Sequence, residues 1–476
     1  MAVRSSSLLE DSQYQPLAGM YATYMLPNCH ESDKERLSQV CEAVKRVFAS
    51  TFFQEPKALM ENIVHRHEEE KMAVIIMELV GQKHGNYFYP TFSGVAQSYN
   101  YYPVSYMQRE EGVAFTALGL GRTIVEGGQA LRFSPKYPNI LPQFYSVKST
   151  IVNSQHTFYA LNLNNGDNPL RDGEQKNLEQ LHLEDAEEHG MLKHIASVIC
   201  DEDKIIRDSL KNNGRRVITF SPILKFQTFP LADILQEILE LSQIAMGCPV
   251  EIEFAVNMYN ASDIQDEFCL LQIKPMVVGS LQRSEHFLKS EKKNILGSSD
   301  MVLGDGIMDS IHDIIYVDFD AFDRSTTRNI AKEIELFNRK LGKENPYLLL
   351  GPGRWGTADP WLGIPVNWKQ ISHAQVIVEM GIDELNPEPS FGSHFFQNVT
   401  SMRIGYFTLQ HIDKGGDLDM EWLNNQPVKQ ATKFIRWIHL DEPLQICING
   451  RSGKGVILKP QPQLNEIMDE GESTGI

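Results

Sequence analysis

Apolar and polar positions in the first third of the chain predict both helices and strands. Ser32 and Glu35 have the spacing of a capping box, which marks the start of a helix. Apolar residues then recur at three- and four-residue steps, which predicts one buried helix face made of Leu37, Val40, Cys41, Val44, Val47 and Phe48. Residues 72–80, MAVIIMELV, are almost continuously apolar and predict a strand buried on both faces.

Glycine-rich turns and further periodic segments follow. Short strands are predicted between Gly94 and Val125, with turns at residues 119–121 and 127–128 where the backbone can approach a ligand. The charged residues 177–213 are expected to form a solvent-facing helix. Helical spacing continues over residues 231–246 up to Gly247, and two strands are predicted at 250–256 and 268–273.

The character of the chain changes after Met276, where a polar stretch suits a linker or an exposed helix. We therefore expect two domains, residues 1–280 and 281–476, and a fold of the α/β (α+β) class. Strands of the second domain are predicted at residues 314–317, 347–350, 375–379, 434–439, 444–448 and 455–458.

Composition narrows the classes of partner. With 42% hydrophobic and 22% charged residues, the chain has the balance of a globular protein. Its formal net charge of −18 disfavours nucleic acid and anionic membranes, although a local cationic pocket with Mg²⁺ can still bind ATP. Six cysteines without a CxxC pair, no signal-like start and no apolar run near ~18 residues favour a cytoplasmic protein.

Candidate chemistry lies on the two strands near residues 250 and 270. Alternation places Glu251 and Glu253 on one face of the first strand, and Gln272 and Lys274 on one face of the second. If the strands pair as a hairpin, these side chains are suited to a metal–triphosphate unit, since Mg²⁺ joins one or two carboxylates to substrate phosphates. A surface hairpin with a salt bridge explains the same pattern.

Several segments together resemble a known family. VRSSSLLEDS, MAVIIMELV with SGVAQ, ALGLGRTIVEGG and EIEFAVN with FCLLQIKPM resemble, in order and spacing, segments of the phosphoenolpyruvate synthase and pyruvate phosphate dikinase family over residues 1–276. The resemblance implies an ATP-grasp-type nucleotide-binding domain that uses ATP and Mg²⁺. In this family a phosphoryl group passes from the β position of ATP to a histidine, on the route between pyruvate and phosphoenolpyruvate.

The resemblance also implies roles for individual residues. Arg4 would contact the ATP phosphates, Glu251 and Glu253 would hold the nucleotide or its Mg²⁺, and Gln272 and Lys274 would complete the phosphate site. Arg4 and Lys274 are therefore also candidate catalytic residues. Further candidate nucleotide-binding positions are Ser5, Gly119 and Gly121.

Three departures from the family pattern affect these expectations. The family's VRSS segment follows a stretch with a phosphate-binding lysine, so we expect a missing N-terminal segment or a partner chain to supply it. Lys274 and Arg122 stand where the family usually has Arg and Glu. The TGGxTSHAA phosphohistidine motif is absent, which leaves His394 and, less favoured, His373 as candidate acceptors.

Other interpretations stay open. The chain also fits an ATP-grasp carboxylate ligase, or a regulatory module that binds ATP without turnover. In the second domain, the glycine-rich segment around Arg354 fits either an anion-binding loop or, as we favour, ordinary turn chemistry.

Overall fold

The computed structural model describes the chain apart from residues 11, 13–15, 61–69, 105–106, 166–169, 171–175, 201–202, 260–262, 277–291, 383–392, 410–416 and 461–476. The first strands are β1 (Ala2–Ser7), β2 (Thr23–Met25), β3 (Met72–Met77), β4 (Gln82–His84), β5 (Tyr87–Tyr89), β6 (Phe92–Gln97), β7 (Val113–Leu118), β8 (Leu131–Phe133), β9 (Thr157–Asn162), β10 (Leu178–His182), β11 (Ala196–Ile199), β12 (Ile206–Arg207), β13 (Arg215–Ile218), β14 (Val250–Asn257) and β15 (Glu267–Pro275). The helices among them are α1 (Asp33–Ser50), α2 (Gln54–Met60), α3 (Arg122–Val125), α4 (Val147–Asn153), α5 (Leu183–Glu188), α6 (Ser221–Leu224) and α7 (Leu231–Met246).

Two antiparallel sheets of this first part carry the candidate chemistry. One has three strands in the order β2-β1-β3, and the other has five in the order β15-β14-β6-β7-β8. The predicted hairpin is confirmed, because β14 and β15 pair antiparallel with Glu251 opposite Lys274 and Glu253 opposite Gln272. The predicted helix before it is also confirmed, and it ends at Gly247 in a left-handed conformation.

Three predictions for this part are wrong. Strand β3 pairs with β1 and with no other described strand, so its apolar side chains are not covered on both faces, and Ile76 is 50% exposed. Helix α1 begins as predicted after Ser32, although the side chain of Ser32 makes no capping hydrogen bond. The helix packs on β1 and β3 with a different face from the predicted one and buries Gln39, Ala43, Val47 and Ser50. Leu37 and Phe48 face outward. Residues 177–213 form β10, α5, β11 and β12 rather than one helix.

The second part is built on one large sheet. Its strands are β16 (Ile295–Ser299), β17 (Val302–Leu303), β18 (Asp305–Val317), β19 (Tyr347–Pro352), β20 (Arg354–Trp355), β21 (Gly363–Ile364), β22 (Ala374–Met380), β23 (Gly405–Leu409), β24 (Asp417–Leu418), β25 (Val428–Ala431), β26 (Ile435–Asn449) and β27 (Lys454–Leu458). Its helices are α8 (Thr327–Leu341), α9 (Trp368–Ile371), α10 (His394–Ser401) and α11 (Met420–Asn424).

Ten of these strands form a mixed sheet in the order β17-β23-β22-β19-β18-β26-β27-β16-β24, with β25 added beside β26. Neighbours from β18 to β23 run parallel, and α8, α9 and α10 lie in the connections between them. All six predicted strand segments lie within this sheet apart from Phe434, although residues 434–439 and 444–448 belong to one long strand, β26. This α/β architecture agrees with the predicted fold class.

The two parts share a hydrophobic core. Leu17, Met20 and Tyr21 of the first part belong to the same buried cluster as Ile315 and Phe337 of the second. The predicted boundary near residue 280 lies outside the described residues and stays a prediction. None of the helices in the described part of the chain combines the length and apolar character that crossing a bilayer requires.

Candidate functional site

A cavity of about 350 Å³ lies where the two parts of the chain meet. Strand β1 contributes Arg4 and Ser5, the hairpin contributes Glu253, Gln272 and Lys274, and the turn after β7 contributes residues 120–122. The lining is completed by residues that include Gly19, Met77, Leu79, Val80, Glu126 and His394. Segments hundreds of residues apart therefore form one site.

Three charged side chains of this cavity, those of Arg4, Glu253 and Lys274, are paired with one another. Arg4 Nη2 donates to Gln272 Oε1 at 2.6 Å, and Arg4 Nη1 lies 3.7 Å from Glu253 Oε2. Lys274 Nζ donates to Glu253 Oε1 at 2.6 Å. Burial opposes ionisation of Glu253, but Lys274 and Arg4 outweigh it and lower the pKa of Glu253 to about 2. This carboxylate is therefore ionised at neutral pH.

Two guanidinium groups of the cavity keep a buried donor without a partner. Arg4 Nε and Arg122 Nε have no hydrogen-bond acceptor among the described residues. Arg122 also pairs with Glu126 at 2.7 Å and lies over the ring of Tyr159. A buried N–H without an acceptor is costly, so an anionic ligand that accepts from these groups would be stabilised here.

Glu251 lies beside this cavity rather than in its wall. It lines a neighbouring cavity of about 30 Å³ together with Gln97 and Gln397, and Lys274 lines both cavities. Gln97 Nε2 donates to Glu251 Oε2 at 2.6 Å, while Glu251 Oε1 has no hydrogen-bond partner in the described structure. Burial raises the pKa of Glu251 to about 7 despite the ammonium of Lys274.

His394 is the first residue of α10 and reaches the cavity from the second part of the chain. Ser393 caps this helix, accepting a hydrogen bond from Phe396 N at 3.2 Å. His394 packs against Gly19, where an added Cβ would lie 2.2 Å from His394 Nδ1. Burial, with Lys274 and Arg4, lowers the pKa of His394 to about 3, so the imidazole is neutral at physiological pH.

The other candidate histidine lies elsewhere. His373 precedes β22, where its N–H donates to Asn338 Oδ1 and its carbonyl accepts from Tyr347 N. It is not among the residues that line the described cavity. The structure thus brings His394, but not His373, to the charged cluster.

The glycine positions have different surroundings. Gly121 lines the cavity, whereas Gly119 is not among the lining residues and has φ +81°. A Cβ at Gly119 would lie 2.7 Å from both the Phe158 ring and the Tyr159 carbonyl, so close packing explains this glycine. Its contact with a nucleotide stays a prediction.

Sequence reasoning missed most of the apolar side chains of the cavity. Met77, Leu79, Val80, Pro90 and Leu178 line it. The segment just after β3 held a detectable clue, because its apolar run continues beyond the strand; Leu178 is too distant in sequence to be assigned. A cavity lined by both apolar side chains and the cations Arg4, Arg122 and Lys274 can receive a ligand that combines an apolar ring with an anionic chain.

The described side chains do not by themselves form a complete metal site. Within the described residues there is no cluster of three or more His, Cys, Asp or Glu side chains suited to one metal ion. A metal bound between Glu251 and Glu253 would need further ligands, such as substrate oxygens.

Comparison with known proteins adds one match. Residues 1–294, more than half of the chain, match the family model described as the pyruvate phosphate dikinase AMP/ATP-binding domain. No curated protein matches the chain.

Proposed function

Because the chain belongs to the family of the pyruvate phosphate dikinase AMP/ATP-binding domain, we propose that its cavity binds ATP and that a phosphoryl group passes from ATP to His394. The family domain is an ATP-grasp-type module that binds ATP or AMP. The apolar residues of the cavity wall would receive the adenine ring. Arg4, Gln272 and Lys274 would face the phosphates.

One observation carries the proposal for His394. A neutral imidazole from the second part of the chain lies in the same cavity as Arg4, Glu253 and Lys274, which come from the first part. Phosphoryl transfer depends mainly on positioning and charge neutralisation. A neutral imidazole keeps the lone pair that a nucleophile needs, and the neighbouring cations suit the charge that develops on the phosphate oxygens.

The proposed transfer joins His394 to the β-phosphate of ATP and releases AMP. A ring nitrogen of His394 forms a bond to the β-phosphorus, and the bond from that phosphorus to the α–β bridging oxygen breaks. AMP leaves with the electron pair, and water then releases the γ-phosphate. The products are AMP, phosphate and phosphohistidine, and transfer of the remaining phosphoryl group to pyruvate would give phosphoenolpyruvate.

The ionised Glu253 lines the cavity and fits Mg²⁺ shared with the nucleotide. Glu251 lines the neighbouring cavity, where its Oε1 is a buried acceptor without a partner in the described structure, so it would add to the metal site only where the two cavities meet at Lys274. Held by Glu253 and the phosphates, Mg²⁺ would neutralise phosphate charge. Lys274 would keep Glu253 in place through its 2.6 Å hydrogen bond. We place this activity in the cytoplasm, in keeping with six free cysteines.

The test begins with calorimetric titration of ATP in the presence of Mg²⁺. Wild type should bind in the micromolar range, about −8 kcal/mol, and Arg4→Ala and Glu253→Gln should bind at least tenfold more weakly. With β-labelled ATP, acid-labile label should appear on wild type and on the control His373→Asn, but not on His394→Asn. Label on His394→Asn would exclude this histidine as the acceptor.

The products separate the remaining interpretations. AMP and phosphate support the proposal, whereas ADP would favour a carboxylate ligase. Binding without turnover would favour a regulatory module. A folded wild-type protein that does not bind ATP would contradict the proposed nucleotide function itself.

A further inference from the structure

A short loop of the second part touches both sides of the proposed site. We call residues 353–358 the bridging loop; it follows β19 and includes β20. On one side it contacts the turn at residues 121–128, whose residues Gly121, Arg122 and Glu126 line the cavity. On the other side it contacts the residue next to His394.

Three hydrogen bonds join the bridging loop to the turn. Arg354 Nη1 donates to the Gly127 carbonyl at 3.1 Å, and Thr357 Oγ1 donates to the same carbonyl at 3.3 Å. Ala358 N donates to the Glu126 carbonyl at 3.0 Å. Thr357 is buried, so these bonds are shielded from competing water.

The contact with α10 is steric. Gly356 has φ +69°, and an added Cβ would lie 2.1 Å from the ring of Phe395. Phe395 follows His394 directly and stacks on Trp368 with ring centroids 4.7 Å apart. A displaced Phe395 ring would therefore move the start of α10, and His394 with it.

The bridging loop is itself anchored to the large sheet. Gly353 N donates to the Met380 carbonyl at 2.9 Å, and Trp355 N donates to Glu379 Oε1 at 2.8 Å. Arg354 N and Gly356 N donate to carbonyls of the facing segment, at 3.0 Å each. These N–H groups are therefore not available to an anion, which agrees with the favoured interpretation of this segment as turn chemistry.

We propose that the bridging loop aligns the turn at residues 121–128 with α10, which carries His394, and that Arg354, Gly356 and Thr357 are positioning residues. The proposal rests on the function proposed above, because the loop would hold His394, the phosphoryl acceptor, at a fixed position relative to the cavity wall that faces ATP, the phosphoryl donor. It also gives the second part of the chain a role in the site besides contributing the acceptor.

The first test uses amide hydrogen exchange and needs no ligand. In Arg354→Ala, amides of residues 121–128 should exchange at least about tenfold faster than in Arg328→Ala, a control at an exposed arginine of α8. Arg354→Lys keeps a cationic donor and should restore much of the protection. Unchanged exchange in Arg354→Ala would overturn the proposal, whether or not the protein binds ATP.

The second test separates binding from transfer. Arg354→Ala should weaken ATP binding about tenfold, the loss expected for one charge-assisted hydrogen bond. Gly356→Ala should slow labelling of His394 at saturating ATP at least tenfold, with ATP affinity changed less than twofold. Gly342→Ala is the matched control, because Gly342 has φ +66° and no atom within 4 Å of an added Cβ. Equal labelling rates in the two glycine variants would overturn the steric link to His394.

These outcomes also distinguish the two proposals. Faster exchange in Arg354→Ala together with no ATP binding by wild type would refute the nucleotide function and leave the mechanical link intact. Normal ATP binding and labelling in both bridging-loop variants would refute the alignment role and leave the proposed function intact.

Discussion

Replacing Gly19 with alanine tests the placement of His394 most directly. Gly19 has φ +65°, and a Cβ there would lie 2.2 Å from His394 Nδ1 and 2.8 Å from Cγ. Carbon and nitrogen atoms in contact normally lie about 3.5–4 Å apart, so the imidazole would have to move by more than 1 Å. A misplacement of about 1 Å lowers a transfer rate on the order of a hundredfold.

Gly247→Ala provides the matched control for this substitution. Gly247 has φ +68° and no atom within 4 Å of an added Cβ. Both variants place a non-glycine residue in the left-handed region, which costs about 1–2 kcal/mol. Only Gly19→Ala adds overpacking, worth about 1–3 kcal/mol more, so its melting temperature should be the lower of the two.

The assay compares ATP affinity with the rate of His394 labelling in both variants. Gly19→Ala should retain much of its ATP affinity and lose about a hundredfold in labelling rate, whereas Gly247→Ala should label like wild type. If Gly19→Ala is labelled at the wild-type rate and has the same melting temperature as Gly247→Ala, the packing of His394 against Gly19 does not position the acceptor.

Three further predictions concern groups around the site. The pKa of Glu251 is raised from 4.5 to about 7, so the native state binds more protons than the unfolded state within this window, and stability falls as pH rises through it. In Glu251→Gln, this decrease in the free energy of unfolding should be smaller by roughly 3 kcal/mol. If the melting temperature changes between pH 5 and pH 8 by the same amount in wild type and in Glu251→Gln, the prediction is wrong. Lys274→Met removes the nearer cation of the buried Glu253 and leaves the more distant Arg4, so it should lower the free energy of unfolding by about 3 kcal/mol. Adding Glu253→Gln removes the unpaired charge and should restore much of the lost melting temperature. Asn398 exchanges two hydrogen bonds with the backbone of Ala18, at 2.7 and 2.9 Å. Asn398→Ala should therefore lower the free energy of unfolding, measured with denaturant, by about 2 kcal/mol. A loss below about 0.5 kcal/mol would argue against this contact between the two parts.

The hairpin shows what local pattern can predict. Residues that alternate in the sequence lie on one face of a strand, so the approximate grouping of Glu253, Gln272 and Lys274 followed once the two strands were expected to pair. Their opposition in the register agrees with that expectation. The bulge after Glu253 and the separation of Glu251 into a second cavity were not predictable, because both depend on what packs against the strand.

Burial was harder to predict than secondary structure. The apolar composition of β3 predicts that both faces are covered, but cover depends on neighbours that lie elsewhere in the chain. The same reason explains α1, where the largest apolar side chains face outward and Ala43 and Val47 face the sheet. In residues 177–213, the high density of charged residues favours an exposed helix in the sequence pattern, and the strands there are too short to show a clear alternation of buried positions.

The sequence by itself determined the nucleotide-binding family, the α/β class, the hairpin and most strands of the second part, because these depend on residue order and on short-range periodicity. Only the tertiary structure decided which histidine reaches the charged cluster. Arg4, Glu253 and His394 are brought together by packing between three segments, and no periodicity relates positions so far apart. The physical reason is that backbone preferences act over a few residues, whereas a cavity is defined by the side chains that long-range packing brings to its wall.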